Sequence, residues 1–266
     1  MADINRLLDI MAQLRDPQHG CPWDLQQDFS SLLPYTLEEV YEVVDAIETR
    51  DYSHLCEELG DLLFQVVFYS QIASEKGLFD MSSVIDGIVA KLLVRHPHVF
   101  SRSADVTGTP AMAELHAKWE AIKQEDRVRK GVTGLLGDIP HALPAIQRAH
   151  KIQSRLARIG FDWQNPQEVL QQLRAEIDEL EDAISVGDQA ASAGELGDVL
   201  FSCVNLARHL QCDAETSLRE TNHKVSARIA WMERTLSDRQ ESLSGKSLAE
   251  LELLWCAAKQ ALSSGE

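Results

Sequence analysis

Paired acidic residues occur twice in this chain, in the same order and at the same spacing, and that repetition constrains the fold more than any other feature. Glu39-x-x-Glu42 precedes Glu58-x-x-Asp61, and Glu176-x-x-Glu179 precedes Glu195-x-x-Asp198. In both halves the second pair starts 19 residues after the first. Other segments keep the same register. Gly20-Cys-Pro-Trp23 parallels Gly160-Phe-Asp-Trp163, and Lys91-x-x-x-Arg95 parallels Lys224-x-x-x-Arg228. AELHAKWEAIKQ, which ends in Lys123-Gln124, parallels AELELLWCAAKQ, which ends in Lys259-Gln260. Elements repeated in one order at similar spacing mark a tandem duplication, one supersecondary unit built twice. The glycine- and proline-rich stretch GVTGLLGDIPHALP separates the copies. The expected organisation is an N-terminal helical domain over 1–130, a linker over 131–144 and a C-terminal helical domain over 145–266.

The unit is helical. Leu59, Leu62, Leu63, Val66 and Val67 recur at steps of three and four, as do Leu196, Val199, Leu200 and Val204, the period of a helix with one apolar face. Helix ends are marked: Asn165-Pro166 reads as N-cap and first helical residue, Ser247-x-x-Glu250 as a capping box, and Gly77 and Gly160 as stops. No stretch sustains the alternation a sheet requires, so the expected class is all-α. Residues three apart on a helix share a face, so each pair presents two carboxylates in one direction. In an antiparallel hairpin, facing residues lie symmetrically about the turn. Pairing Glu39 with Asp61 and Glu42 with Glu58 centres the first turn on Arg50, and the same construction centres the second on Gly187, beside Asp188. Both centres lie in polar, turn-forming sequence. Each hairpin therefore brings four carboxylates to one level of a bundle. A plainer reading of Glu39 alone also exists: Thr36-Leu-Glu-Glu39 has the form of a capping box.

Four facing carboxylates cannot all stay ionised without a counter-charge. Hard divalent cations with oxygen ligands supply one, which points to Mg²⁺, with Mn²⁺ as a possible substitute. Lys-x-x-x-Arg, on one face of a later helix, offers cations for phosphate groups, and the tryptophan after it offers a stacking surface or a pocket wall. Di-iron bundles also gather carboxylates, but through Glu-x-x-His pairs. Here the fourth residue is always Glu or Asp, which favours Mg²⁺ or Mn²⁺ over iron. Composition narrows the partners. A formal net charge of −17 repels a phosphate backbone and argues against general nucleic-acid binding. No apolar run approaches the roughly 18 residues needed to span a bilayer. MADINRLLDIMAQLRD lacks the basic-then-apolar layout of a secretory signal. Five scattered cysteines without a CxxC pair argue against disulfides or structural zinc, and suit a cytoplasmic protein.

YTLEEVYEVVDAI, EELGDLLFQVVFYSQIA, KLLVRHPHVF, KIQSRLARIGFDW and GELGDVLFSCVNLARHL together resemble the MazG nucleoside triphosphate pyrophosphohydrolases, over nearly the whole chain. The resemblance implies an all-α fold of tandem four-helix-bundle domains, and Mg²⁺-dependent hydrolysis of NTPs and dNTPs to the monophosphate and pyrophosphate, by a homodimer whose subunits pack into each other's bundles. It assigns the metal to Glu176, Glu179, Glu195 and Asp198, with Asp198 also facing nucleotide. Lys224 and Arg228 would hold phosphates and Trp255 would lie against the nucleotide. The equivalents in the first copy are Glu39, Glu42, Glu58, Asp61, Lys91, Arg95 and Trp119. Asn205, seven residues after Asp198, occupies a position suited to sugar or base, whereas the same offset from Asp61 gives Phe68. The second copy is therefore the expected catalytic site. Lys123 is a further candidate phosphate contact. Two other readings stay open here: a non-catalytic nucleotide-binding helical regulator, and a di-metal carboxylate oxidoreductase.

Overall fold

A computed structural model describes residues 3–100, 118–119, 121–122, 125, 127–129, 131 and 133–264. Among them every regular element is an α-helix. Residue contacts divide the chain into two compact units, Met1–Gln124 and Glu125–Glu266.

The first unit contains α1 (Ile4–Leu14), α2 (Pro22–Gln26), α3 (Leu33–Glu48), α4 (Tyr52–Glu75), α5 (Met81–Arg95) and α6 (Pro97–Phe100). Its centre is the α3–α4 hairpin, with α1 and α5 packed on α4. The turn falls where the symmetry of the acidic pairs places it. Arg50 adopts φ 58°, and the Asp51 side chain caps α4 by accepting from the Ser53 and His54 amides. Val67, Phe68 and Ile72 on α4 pack with Met11 of α1 and with Leu32 to form the core. At its edge the Arg15 guanidinium meets Glu75 at 2.7 Å and donates to the Asp24 carbonyl.

The second unit contains α7 (Ala145–Arg158), α8 (Pro166–Val186), α9 (Gln189–His209), α10 (Ala214–Ser237) and α11 (Leu248–Ser264). The α8–α9 hairpin is again the centre. Helix α7 packs on α9 and α10, and α10 also packs on α9 and α11. The N-cap of α8 is Asn165, whose side chain accepts from the Glu168 amide at 3.0 Å, followed by Pro166 as expected. Gly187, at φ 77°, ends α8 in the left-handed conformation that glycine adopts without strain. Ser247 and Glu250 exchange the two bonds of a capping box ahead of α11. Within this unit Asp138 forms an ion pair with Arg127 at 3.1 Å and accepts a hydrogen bond from Arg155 at 2.7 Å, and Ile139 is buried. The end of the glycine- and proline-rich stretch is thus held against its own unit.

One expected cap is corrected. Helix α3 begins at Leu33 with Pro34 in its first turn, so Thr36 lies inside the helix and caps nothing. Proline is well suited to the first turn, where its missing N–H costs nothing, and the N-cap position is Leu32, four residues upstream of Thr36. The Thr36 hydroxyl instead bonds the Leu32 carbonyl at 3.1 Å and the Tyr69 hydroxyl at 2.8 Å. Glu39 is left without a capping role.

Candidate metal and nucleotide site

Each hairpin assembles its carboxylates. In the first unit, oxygens of Glu39, Glu58 and Asp61 lie within 4.8 Å of one another, and in the second unit those of Glu176, Glu179 and Glu195 do so. Oxygens on opposite sides of a Mg²⁺ ion bound at about 2.1 Å are about 4.2 Å apart, so a slight contraction would close either set around a cation. The donor set is all oxygen, which suits a hard ion. Glu42 and Asp198 stand at the margins: Glu42 adds its charge to Glu39 and Glu58, and Asp198 adds its charge to Glu195.

Crowding is visible in the titration of these groups. Burial, followed by the charges of Asp61 and Glu42, pushes the Glu39 carboxyl above its ordinary range. Burial and the charge of Glu42 raise Glu58, which is only 7% exposed, while His54 opposes the shift. Burial with Glu179, Asp198 and Glu176 raises Glu195. Protons favoured where carboxylates converge are what a missing counter-charge predicts.

The second cluster adjoins a cavity of about 510 Å³ lined by residues that include Glu176, Asn205, Trp163 and Arg208. Glu176 therefore belongs both to the carboxylate group and to the cavity wall. Gln172 donates to Glu176 at 2.7 Å and fixes the direction of that carboxylate. Asn205 lies on α9 one turn from Phe201 and Ser202, which share the lining. The remaining predicted residues sit elsewhere. Arg228 stacks over the Trp255 ring at 4.9 Å, so this pair is joined, but neither lines the cavity, and nor does the exposed Lys224. In the first unit Lys91 is exposed, and Trp119 donates to the Arg95 carbonyl at 2.7 Å. Lys123 lies outside the described residues.

A family model for the MazG nucleotide pyrophosphohydrolase domain matches the chain twice, over residues 27–100 and 164–232. The chain belongs to the MazG family. Relatives along its length include the nucleoside triphosphate pyrophosphohydrolase of Escherichia coli K12, 47% identical over 98% of both chains. The nucleoside triphosphate pyrophosphohydrolase/pyrophosphatase MazG of Thermotoga maritima is 38% identical over 95% of this chain and 94% of its own.

The two MazG copies differ where the cavity lies. The residue at the Asn205 position in the first copy, Phe68, is fully buried in the core. Phe64 and Trp23 lie within 5.7 and 6.4 Å of its ring centre, and the Arg15 guanidinium lies at 5.5 Å. An aromatic side chain thus occupies the first copy where the second keeps a polar group on an open cavity. Sequence reasoning missed Gln153, Gln172 and Arg208 of the lining, because single polar residues on a helix carry no motif. It also missed His54, whose Nδ1 lies 3.0 Å from Glu58. The four-residue spacing within α4 was the available signal. The matching position in the second copy is Ala191.

Proposed function

We propose that this chain hydrolyses nucleoside and deoxynucleoside triphosphates to the monophosphate and pyrophosphate at the second carboxylate cluster. The observation that carries the reading is the continuity of that cluster, through Glu176, with a cavity of about 510 Å³, the size range of small-molecule sites. Glu176, Glu179, Glu195 and Asp198 hold Mg²⁺, for which Mn²⁺ can substitute. A divalent cation held there neutralises the triphosphate and makes a bound water more acidic. Water attacks the α-phosphorus, the bond to the β-phosphate oxygen breaks, and a carboxylate of the cluster accepts the water's proton. Lys224 and Arg228 stabilise the charge of the departing pyrophosphate, and Trp255 backs the nucleotide. Asn205 faces the nucleoside.

We further propose that the protein works as a homodimer in the cytoplasm. Leu37, Val40, Tyr41 and Ile47 of α3 are exposed, as are Ile85, Ile88, Val89, Leu92 and Leu93 of α5, and α5 buries none of its residues within the chain. Apolar faces of this extent belong to an interface. No helix among the described residues is long and apolar enough to cross a membrane.

The test is product analysis. With Mg²⁺ present, chromatography should show NMP and pyrophosphate as the first products from ATP, GTP, CTP, UTP and their deoxy forms. Excess chelator should abolish turnover and added Mg²⁺ should restore it. NDP as the main early product, or full activity in chelator, would overturn the reading. A protein that binds nucleotide without turnover would instead be a regulator.

A further inference from the structure

The second copy's cavity carries a constellation outside the metal and phosphate residues. Arg208 extends from α9 and its Nη2 donates to Asn205 Oδ1 at 2.7 Å. The same Nη2 donates to Asp162 Oδ1, and that oxygen also meets His209 Nε2 at 3.2 Å. Asp162, Asn205 and Arg208 all line the cavity. A guanidinium has only donors, so the Asn205 atom facing it is the amide oxygen. That contact leaves the Asn205 NH₂ group, with two donors and no acceptor, for the cavity.

We infer that Asp162 and Arg208 are positioning residues that lock Asn205 as a hydrogen-bond donor, so that the cavity selects a ligand with an acceptor on its nucleoside portion. This rests on the nucleotide reading of the site and names the chemistry of its nucleoside end. The acceptor is a sugar hydroxyl oxygen, a base carbonyl or a ring nitrogen.

Without the lock, an asparagine amide can present either end, and swapping them exchanges a donor for an acceptor. The lock is itself held. Although burial pushes the Asp162 carboxyl up, the hydrogen bonds from Arg208 and His209 outweigh it and keep the group below its ordinary range. Asp162 therefore stays an acceptor for the guanidinium at neutral pH. It sits in the Gly160-Phe-Asp-Trp163 motif, between the cavity-lining rings of Phe161 and Trp163, which ties the lock to the wall that the nucleoside would meet. The first copy lacks the arrangement. Counterparts of Asn205, Arg208 and His209 there are Phe68, Gln71 and Ile72; Phe68 and Ile72 are core residues, and Gln71 donates to Glu75 at 3.1 Å.

A double-mutant cycle decides it. Asn205→Ala, Arg208→Met, Asp162→Asn and the Asn205→Ala/Arg208→Met double variant are compared with the parent chain. The readout is the Kd of α,β-methylene-ATP with Mg²⁺ by calorimetry, beside the Kd of inorganic tripolyphosphate and the melting temperature. Losing one neutral hydrogen bond should weaken the nucleotide analogue about three- to tenfold in each single variant. The double variant should be no weaker than Asn205→Ala alone within about twofold, because Arg208 acts through Asn205. Tripolyphosphate, which has no nucleoside, should be unaffected throughout. Repeating the cycle with 3′-deoxy and base-modified analogues identifies the acceptor, as the one whose removal makes Asn205→Ala silent. Additive losses, or weaker tripolyphosphate binding in Arg208→Met, would make Arg208 a phosphate ligand and overturn the inference. A lower melting temperature with unchanged Kd would also overturn it, by showing a structural role. Arg208→Lys, which keeps a cation beside Asp162, should recover part of the lost affinity. Because the analogue is not cleaved, the cycle stands apart from turnover: tight binding with no pyrophosphate release from ATP would sink the catalytic reading alone. No measurable binding of the analogue by the parent chain would sink both.

Discussion

Phe68 and Asn205 are the pair on which the two halves diverge. A buried phenylalanine contributes on the order of 1.5–3 kcal/mol to the core, and Phe68, at 0% exposure, fills the first copy's core at the position where Asn205 of the second copy lines a cavity. The four acidic positions correspond in sequence, whereas the carboxylates that converge are Glu39, Glu58 and Asp61 in one copy and Glu176, Glu179 and Glu195 in the other, so the consequences of removing a ligand should separate the halves. Glu179→Ala or Asp198→Ala should reduce pyrophosphate release more than about a hundredfold, beyond the 10–100-fold typical of groups that only orient ligands. Glu42→Ala and Asp61→Ala should cost less than about tenfold, provided the variants stay folded. Steady-state assays of the four purified variants check this, and a larger loss in the first copy would move the catalytic site to that half. The family resemblance singled out Asn205, seven residues after Asp198, and Asn205 lines the cavity. Arg208, Gln153 and Gln172 were not legible in the sequence, because their roles depend on which way a side chain turns from a helix into a shared space.

The hairpin turns are the elements that bring the carboxylates together, and they solve the same problem with different residues. Arg50 holds φ 58° and its counterpart Gly187 holds φ 77°. A residue with a Cβ pays about 1 kcal/mol for the left-handed conformation, whereas glycine does not. Arg50→Gly should therefore raise the unfolding free energy of the first unit by about 0.5–1 kcal/mol, part of the gain being offset by the freer unfolded chain. Gly187→Ala should lower that of the second by about 1 kcal/mol. Nothing lies within 4 Å of a Cβ built at Gly187, so the penalty is one of backbone alone. Urea unfolding followed by helical circular dichroism measures both shifts, and equal effects at the two turns would contradict the argument. The turn positions were legible because mirror-related acidic pairs leave one centre. The start of α3 was not, since Thr36 and Glu39 match a cap in isolation while Pro34 sets the true beginning upstream.

Across the whole molecule the net charge is −17, and the carboxylates that converge in two acidic clusters should appear in stability as a function of pH. Glu39, Glu58 and Glu195 have carboxyls raised above the ordinary 4.5. Above that value the folded chain binds more protons at these positions than the unfolded chain does. Their contribution to stability therefore falls as pH rises through the raised values. Asp162 and Glu75, whose carboxyls are lowered, act in the opposite sense, with their contribution present at neutral pH and lost below the ordinary carboxylate range. In chelator, the melting temperature should decline as the pH rises above the ordinary carboxylate range. Saturating Mg²⁺ should flatten that decline, because the cation replaces the protons. Calorimetric melts at fixed ionic strength test this, and identical slopes with and without Mg²⁺ would count against metal binding at the clusters.

Helical class, the duplication, the two hairpin turns and the grouping of carboxylates were all determined by the sequence alone. Each follows from spacing along one chain, and helix geometry converts spacing into direction without reference to anything distant. Tertiary structure decided that Asn205 lines a cavity while its counterpart Phe68 fills the core. Whether a residue at the Asn205 position faces a cavity or fills one depends on what packs opposite it, from Met11 and Leu32 in one unit to Gln153 and Trp163 in the other. That packing is a property of side-chain volumes from several helices at once, and no periodicity within a single helix encodes it.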